Sequence, residues 1–285
     1  MPVFNAEDYI EETISSILEQ TFQDFILIII NDGSTDKTID IVTKYNNSKI
    51  QIFNKKHSGI IDSFNYALEF INTEYTARID SDDVYHPAKF ENQIKFLDDN
   101  LNIAIVGTQA NYLSQSGIIS KLNINVPVEH KDILRNLFTF KRAIIQSTIV
   151  IRTKVLLELK GYLPDIYPED FDLFFRLSQK YEMANLDKSL ANIRIHNSYS
   201  HNNLYQLLAG YNSLIEKYST NKNKSKLKII SKKQLLTIYL NRKSLNQFLN
   251  NNKTIAFIYL FFSGLIAPID FFNMFLKKIK NGQFF

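Results

Sequence analysis

Six consecutive apolar residues, Phe25-Ile26-Leu27-Ile28-Ile29-Ile30, are followed at once by Asn31-Asp32-Gly33-Ser34-Thr35-Asp36. A run without a polar face belongs to a strand covered on both sides, as in the middle of a parallel sheet. The polar hexapeptide then marks that strand's carboxyl end. Similar alternation fills residues 1 to about 115. Ile10, Ile14, Ile17 and Leu18 recur at helical spacing, with Asn5 and Asp8 placed to cap that helix. Ile39, Val42 and Tyr45 predict a second helix, Ile50–Phe53 a strand, and Ile60, Phe64, Ala67, Leu68 and Ile71 a third helix. Tyr75–Ile79 reads as a strand, Pro87 as the opening of a helix carrying Phe90, Ile94 and Leu97, and Ile103–Val106 as another strand. Strand–helix alternation of this kind predicts an α/β fold, with a mostly parallel sheet flanked by helices and joined by right-handed crossovers. Such sheets bind ligands beyond the carboxyl ends of their strands.

Three polar clusters fall at those ends. In Ala77-Arg78-Ile79-Asp80-Ser81-Asp82-Asp83, three carboxylates stand within four residues, directly behind an apolar run. Crowded carboxylates repel one another and raise each other's pKa, so folding alone gives little reason for them. A hard divalent cation does, because Mg²⁺ or Mn²⁺ is held by one or two carboxylates together with phosphate oxygens. The plainer reading is a polar turn ahead of a Pro-initiated helix. In Asn31–Asp36, Gly33 permits a tight turn and Asp32 is placed to bond a base or ribose; an ordinary strand–turn–helix connection is the alternative. The third cluster is Pro168-Glu169-Asp170-Phe171-Asp172, ahead of an amphipathic helix running to about Tyr181. Either Glu169 or Asp170 suits a general base, since a helix N-terminus favours the ionised form, and helix capping is the competing role. His196, after a strand near Leu190–Ile195, is a candidate for a metal or phosphate contact or a structural histidine. A helix near Glu129–Phe138 and a strand near Ile144–Ile151 complete this stretch.

Charge separates the chain into two parts. The net charge of +4 conceals 13 Lys/Arg against Glu216 and Asp270 from Leu204 onward, and 20 basic against 27 acidic side chains before it. We therefore expect a domain over 1–203 and a basic helical tail over 204–285. Ten Lys/Arg and no acid lie between Lys217 and Lys253, followed by the apolar stretch Ile255–Leu276, which Gly264, Pro268 and Asp270 interrupt. That pattern predicts peripheral contact with an anionic membrane through 204–285, by an interfacial helix rather than a span. No cysteine is present, which excludes disulfides, thiolate metal sites and a cysteine nucleophile. The chain opens without a basic-then-apolar leader, so the expected location is the cytoplasm, on the membrane's inner face. No nucleic-acid recognition motif accompanies the basic tail.

Taken in order, Met1-Pro2-Val3-Phe4-Asn5-Ala6-Glu7, Asn31–Asp36, Ala77–Asp83 with Pro87, Glu169-Asp170 and Arg194-Ile195-His196 resemble the family 2 inverting glycosyltransferases, over residues 1–203. The resemblance implies an A-type nucleotide-sugar-binding fold. It implies metal-dependent transfer of a sugar, with UDP the default carrier, to a glycan or lipid-linked acceptor in bacterial surface polysaccharide synthesis. Pro2, Phe4 and Asp32 would line the base and ribose pocket. Asp82 would contact ribose or metal, and Asp83 would coordinate Mn²⁺ or Mg²⁺. Asp80 and His196 would be further metal candidates, and Asp170 the base that deprotonates the acceptor. Inversion by direct attack needs one catalytic carboxylate and no covalent intermediate.

The chain departs from the family pattern at several places. Relatives usually carry more apolar residues ahead of Met1-Pro2, forming a first central strand, so the expectation is a start that is truncated or misassigned. His57 stands where Asn is common, Phe64 near a place where some relatives carry an Arg, and Gln146 where His is common. Two other readings compete: a non-catalytic nucleotide-sugar-binding scaffold at a membrane, and a nucleotidyltransferase. The second normally needs a Gly-rich basic loop near its first strand, and residues 1–10 contain no Gly, Lys or Arg.

Overall fold

In the computed structural model the apolar run becomes β2 (Leu27–Asn31), with Leu27, Ile29 and Ile30 buried. The structure describes residues 1–164 and 166–195, the backbone alone at 121 and 122, and scattered positions between 209 and 262. His196 and almost all of the basic tail, including its expected helices, lie outside the described residues. Two compact units divide the chain: Met1–Ala110 with Asn125–Ile193, and Asn111–Ile124 with Arg194–Phe285.

β2 is the centre of a three-stranded sheet. β1 (Pro2–Val3) pairs with it in parallel, Pro2 opposite Ile30, and so does β3 (Ile50–Asn54), Ile29 opposite Ile52. Helix α1 (Ile10–Leu18) buries Ile10, Ile14 and Ile17 at the expected spacing. Its start differs from expectation. Asn5 does not cap it, because Asn5 adopts a positive φ of 48° and its side-chain oxygen accepts from Thr35 N at 2.8 Å. The helix begins later, after Tyr9. Asparagine tolerates this left-handed geometry better than most residues, and its amide is used to tie two loops together. Helices α2 (Thr38–Thr43) and α3 (Ile60–Ala67) follow β2 and β3 as read.

Beyond β3, antiparallel pairing enters. A six-stranded sheet contains β4 (Tyr75–Ala77), β5 (Val84–Tyr85), β6 (Ile103–Ser114), β7 (Ile119–Ile124), β8 (Val150–Arg152) and β9 (Glu182–Ile195). β4 pairs antiparallel with β8, Tyr75 opposite Arg152; β6 pairs antiparallel with β8, and β5 with β9. Strand direction here is decided by partners far along the chain, which local periodicity does not encode. The observed architecture is thus a mixed α/β fold, parallel over β1–β3, with helices α4 (Lys89–Asp99), α5 (His130–Phe138), α6 (Thr153–Glu158) and α7 (Glu169–Leu177) around it. Leu97, Ile103, Val106, Val150 and Ala184 form one tight part of its core.

Met1 is buried, and its α-amino group donates to Ile28 O at 2.8 Å. Burial pushes that amine down to about 5, against the opposing pull of Asp80. Beside it lies a largely apolar cavity of about 600 Å³, whose walls include Met1, Leu27 and Ile28 on one side and Tyr75 and Ala77 of β4 on another.

The second unit, in its described part, holds the turn from β6 into β7. Ser114 N donates to Ile118 O at 2.9 Å, and Arg194 Nη1 donates to Ser114 O at 3.2 Å.

Candidate active site

The loop after β2 is stitched to the loop after β3 through Asp32. Its carboxylate is buried and accepts from Lys55 Nζ at 2.7 Å, Ser58 N at 2.9 Å and Gly59 N at 2.9 Å. His57 Nδ1 stands 3.0 Å from Oδ2, the oxygen that Gly59 N also reaches. Four contacts match the acceptor capacity of one carboxylate, so Asp32 is fully engaged within the protein. Burial works to raise its pKa, but the Lys55 and backbone hydrogen bonds outweigh it and hold the carboxyl below its ordinary value. Gly33 makes the close approach feasible: its φ is 75°, and a Cβ there would come within 3.0 Å of His57 N. Phe4, 45% exposed, stacks on the His57 ring with centroids 4.1 Å apart. Pro2 is buried in β1. The expected base and ribose residues are therefore assembled around Asp32, together with Lys55 and His57.

The acidic cluster follows β4. Asp83 is buried, and Thr13 Oγ1 donates to its backbone carbonyl at 2.8 Å. Asp80 N donates to Tyr85 Oη at 3.1 Å. The Asp80 carboxyl is raised above its ordinary pKa, chiefly by burial, with Arg78 opposing and Asp82 and Glu169 adding repulsion. Its Oδ1 atom is buried without a hydrogen-bond partner.

Arg78, to which the sequence reading assigned no role, lies at the centre of this group. Its side chain is only 5% exposed. Nε lies 3.5 Å from Asp80 Oδ1, and Nη2 lies 3.6 Å from Glu169 Oε1. The guanidinium carbon sits 4.1 Å from the Phe64 ring centroid and 5.3 Å from that of Tyr162, and Nη1 donates to Tyr162 Oη at 3.4 Å. Asn65 fixes Tyr162 by bonding both its backbone carbonyl, at 2.7 Å, and its amide, at 2.9 Å. An arginine interrupting the apolar run Ala77–Ile79 was the signal for it, since a cation there must find buried acids.

Glu169 and Asp170 open α7. Gln146 Nε2 donates to Glu169 Oε1 at 3.3 Å, and Asp170 Oδ1 accepts from Phe171 N at 2.9 Å. The free amides of a helix start favour negative charge at both acids. Asp172 serves a different purpose. It is fully buried and accepts from Arg176 Nε at 2.7 Å, while Arg176 also donates to Leu159 O and Gly161 O, so this acid locks the helix to the preceding turn.

The donor set at Asp80, Asp82 and Asp83 is all carboxylate oxygen, and Asp80 Oδ1, which has the Arg78 charge 3.5 Å away but no hydrogen-bond partner, has acceptor capacity left for a hard divalent cation. Among the described residues no group of three or more His, Cys, Asp or Glu side chains forms a complete metal site. Mg²⁺-type sites commonly hold one or two carboxylates and complete themselves with water and substrate phosphate, so the residues present suit such an ion.

Comparison with known proteins places this geometry. The model of the family described as Glycosyl transferase family 2 matches residues 1–159. An uncharacterized glycosyltransferase of Haemophilus influenzae is 29% identical over 97% of the chain and 81% of its own length. The O-antigen biosynthesis glycosyltransferase WbnJ of Escherichia coli is 30% identical over 69% of the chain and 78% of its own length. Among solved structures, S. aureus TarS 1-349 in complex with UDP-GlcNAc is similar with a TM-score of 0.58 at 18% identity, covering 100% of this chain and 91% of that one. The mannosyltransferase PcManGT of Pyrobaculum calidifontis, in complex with GDP-Man and Mn²⁺, is similar with a TM-score of 0.60 at 14% identity, over 99% and 79% of the two chains. The fold is theirs, and with the family model covering more than half of its residues, this chain belongs to glycosyl transferase family 2.

Proposed function

We propose that this glycosyltransferase moves a sugar from a nucleoside diphosphate donor, by default a UDP-sugar, to a hydroxyl of a glycan or lipid-linked acceptor in surface polysaccharide synthesis. One observation carries the reading: Arg78 brings the acidic cluster and the Glu169-Asp170 helix start within ion-pair reach of a single guanidinium. Donor-binding and proton-accepting groups are then neighbours, as group transfer requires. The O-antigen enzyme among the relatives supports the polysaccharide assignment, and the neighbours with UDP-GlcNAc and with GDP-Man and Mn²⁺ support donor class and metal.

Each side chain has a part in this reading. Phe4 and His57 offer a stacked aromatic face for the base, flanked by Pro2, while Asp32 holds the Lys55–Gly59 loop in the shape the nucleotide meets. Asp82 and Asp83, with Asp80 and His196 as further ligands, would hold Mn²⁺ or Mg²⁺. That ion, when bound, supplies charge stabilisation to the departing diphosphate. Asp170 accepts the acceptor's hydroxyl proton as the acceptor oxygen forms its bond to the anomeric carbon. The bond from that carbon to the diphosphate oxygen breaks with its electron pair leaving on the nucleoside diphosphate, and the anomeric configuration inverts. The catalytic part is 1–203, and 204–285 brings the enzyme to the cytoplasmic face of an anionic membrane, where a lipid-linked acceptor is found.

Incubation of the full chain with Mn²⁺ and a panel of nucleotide sugars tests the proposal. Release of nucleoside diphosphate from one donor is expected. Inertness on every nucleotide sugar, with release of pyrophosphate when a nucleoside triphosphate and a sugar 1-phosphate are supplied instead, would make the protein a nucleotidyltransferase, and binding without turnover on any acceptor would make it a scaffold.

A further inference from the structure

We infer that Arg78 is the positioning residue that aligns the base-bearing helix start with the donor-binding acids, an inference that rests on the transfer reading above. Its two ionic partners are far apart in the chain, Asp80 beside it and Glu169 at the start of α7, yet both carboxylates stand within 3.6 Å of one guanidinium. Distances of 3.5 and 3.6 Å are charge contacts rather than tight hydrogen bonds, and Nε has no hydrogen-bond partner. The group is therefore not clamped by either acid alone. Phe64 and Tyr162 hold it instead, and Tyr162 is itself pinned by Asn65. A planar fork held by aromatic rings presents Nε and Nη2 in fixed directions, which sets the spacing between the two acids.

Glu169 immediately precedes Asp170, so a shift of the first moves the second. Arg78 touches neither the acceptor nor the reacting carbon in this reading; it acts through Glu169. Its removal should misplace the base while leaving the donor seated by the Phe4–His57 face, Asp82 and Asp83. The Phe64 ring also acquires a purpose here, since it packs against the cation that joins the two clusters.

The test uses the full chain and three variants: Arg78→Lys, Glu169→Gln and the double substitution. Lysine keeps the charge and loses the fork. Arg78→Lys is expected to lower kcat by up to about 10²-fold, the scale set by misplacement of a catalytic group by about 1 Å, with donor KM and the thermal shift given by UDP with Mn²⁺ little changed. The double variant should be no slower than Glu169→Gln alone, because both changes break one linkage. Should Arg78→Lys fail to fold, Glu169→Gln alone must show the same split of kcat from KM. Wild-type kcat in these variants, a matching loss of UDP affinity, or additive effects would each overturn the inference. A wild-type protein that is folded but turns over no nucleotide sugar would sink the transfer reading itself and this inference with it.

Discussion

Lys55 Nζ lies 2.7 Å from Asp32 Oδ1, joining the loop after β3 to the loop after β2 across side chains that are 14% and 4% exposed. The Lys55 ammonium also reaches Asp62 at 2.8 Å. Lys55→Met leaves a buried carboxylate with backbone amides and His57 but no fixed cation. The expected loss is about 1.5–3 kcal/mol in urea denaturation at pH 7, the range for a hydrogen bond to a charged group. The pH dependence follows the sign of the Asp32 shift. Its pKa is lowered on folding, so its stabilisation is present above the ordinary carboxylate range and is lost as the pH falls through the depressed value. The acid-side decline should be shallower in the variant; an unchanged midpoint at pH 7 would refute this role.

Asp170→Asn is expected to lower kcat by about 10²–10⁴-fold while donor affinity survives, because a general base acts in the transition state. Steady-state kinetics paired with calorimetric titration of UDP separates the two effects. Wild-type turnover by this variant would move the role to Glu169. Asp172 is not a substitute, since Arg176 occupies it.

Asp83→Ala should abolish the part of nucleoside diphosphate affinity that depends on Mn²⁺. Calorimetry with and without the ion, on both proteins, measures it. Equal metal-dependent affinity in the two would remove Asp83 from the cation's ligands.

Lys89 is wholly buried between the Tyr85 and Phe90 rings, its ammonium 5.3 and 4.9 Å from their centroids and without a hydrogen-bond partner. Burial pushes its pKa down to about 7. A cation whose pKa falls on folding costs stability while charged. The wild type should therefore gain stability as pH rises between about 7 and the ordinary lysine value near 10.4, and be insensitive to this group below that window. Lys89→Met removes the penalty. It should be more stable than wild type at pH 7, by up to about 4 kcal/mol, with the gap closing towards pH 10. Chemical denaturation at the two pH values decides it, and a variant less stable at pH 7 would show that the rings compensate the charge.

Vesicle flotation examines the basic tail. The full chain should float with anionic vesicles and stay behind with neutral ones. Replacing Lys222, Lys224, Lys226 and Lys228 by Gln should weaken flotation, each basic residue near the surface being worth about 1 kcal/mol. Identical behaviour on both vesicle types would rule out an electrostatic dock. Among the described residues no helix is long and apolar enough to cross a membrane.

What was legible in the chain was local. The polar hexapeptide after β2, the acids after β4 and the acid pair opening α7 each adjoin the element that positions them, so a few residues of context place them. Arg78 sat inside the acidic motif and still went unassigned, because its partners Glu169 and Tyr162 come from the other end of the domain. The same distance in sequence hid strand direction: nothing near Tyr75 shows that Arg152 will lie opposite it. β9 was read from Leu190 and begins at Glu182; its first half carries the buried Asn185 and the exposed Asp187 and Lys188, which break the apolar run sought. Asn5 had the right chemistry for a helix cap, and a loop thirty residues away claimed it first.

The place of Met1 has a practical consequence for handling the protein. Any residue joined ahead of it, native or added, starts beside Ile28 O and the cavity walled by β2 and β4. An extended apolar segment there would match its surroundings, and a polar one would not.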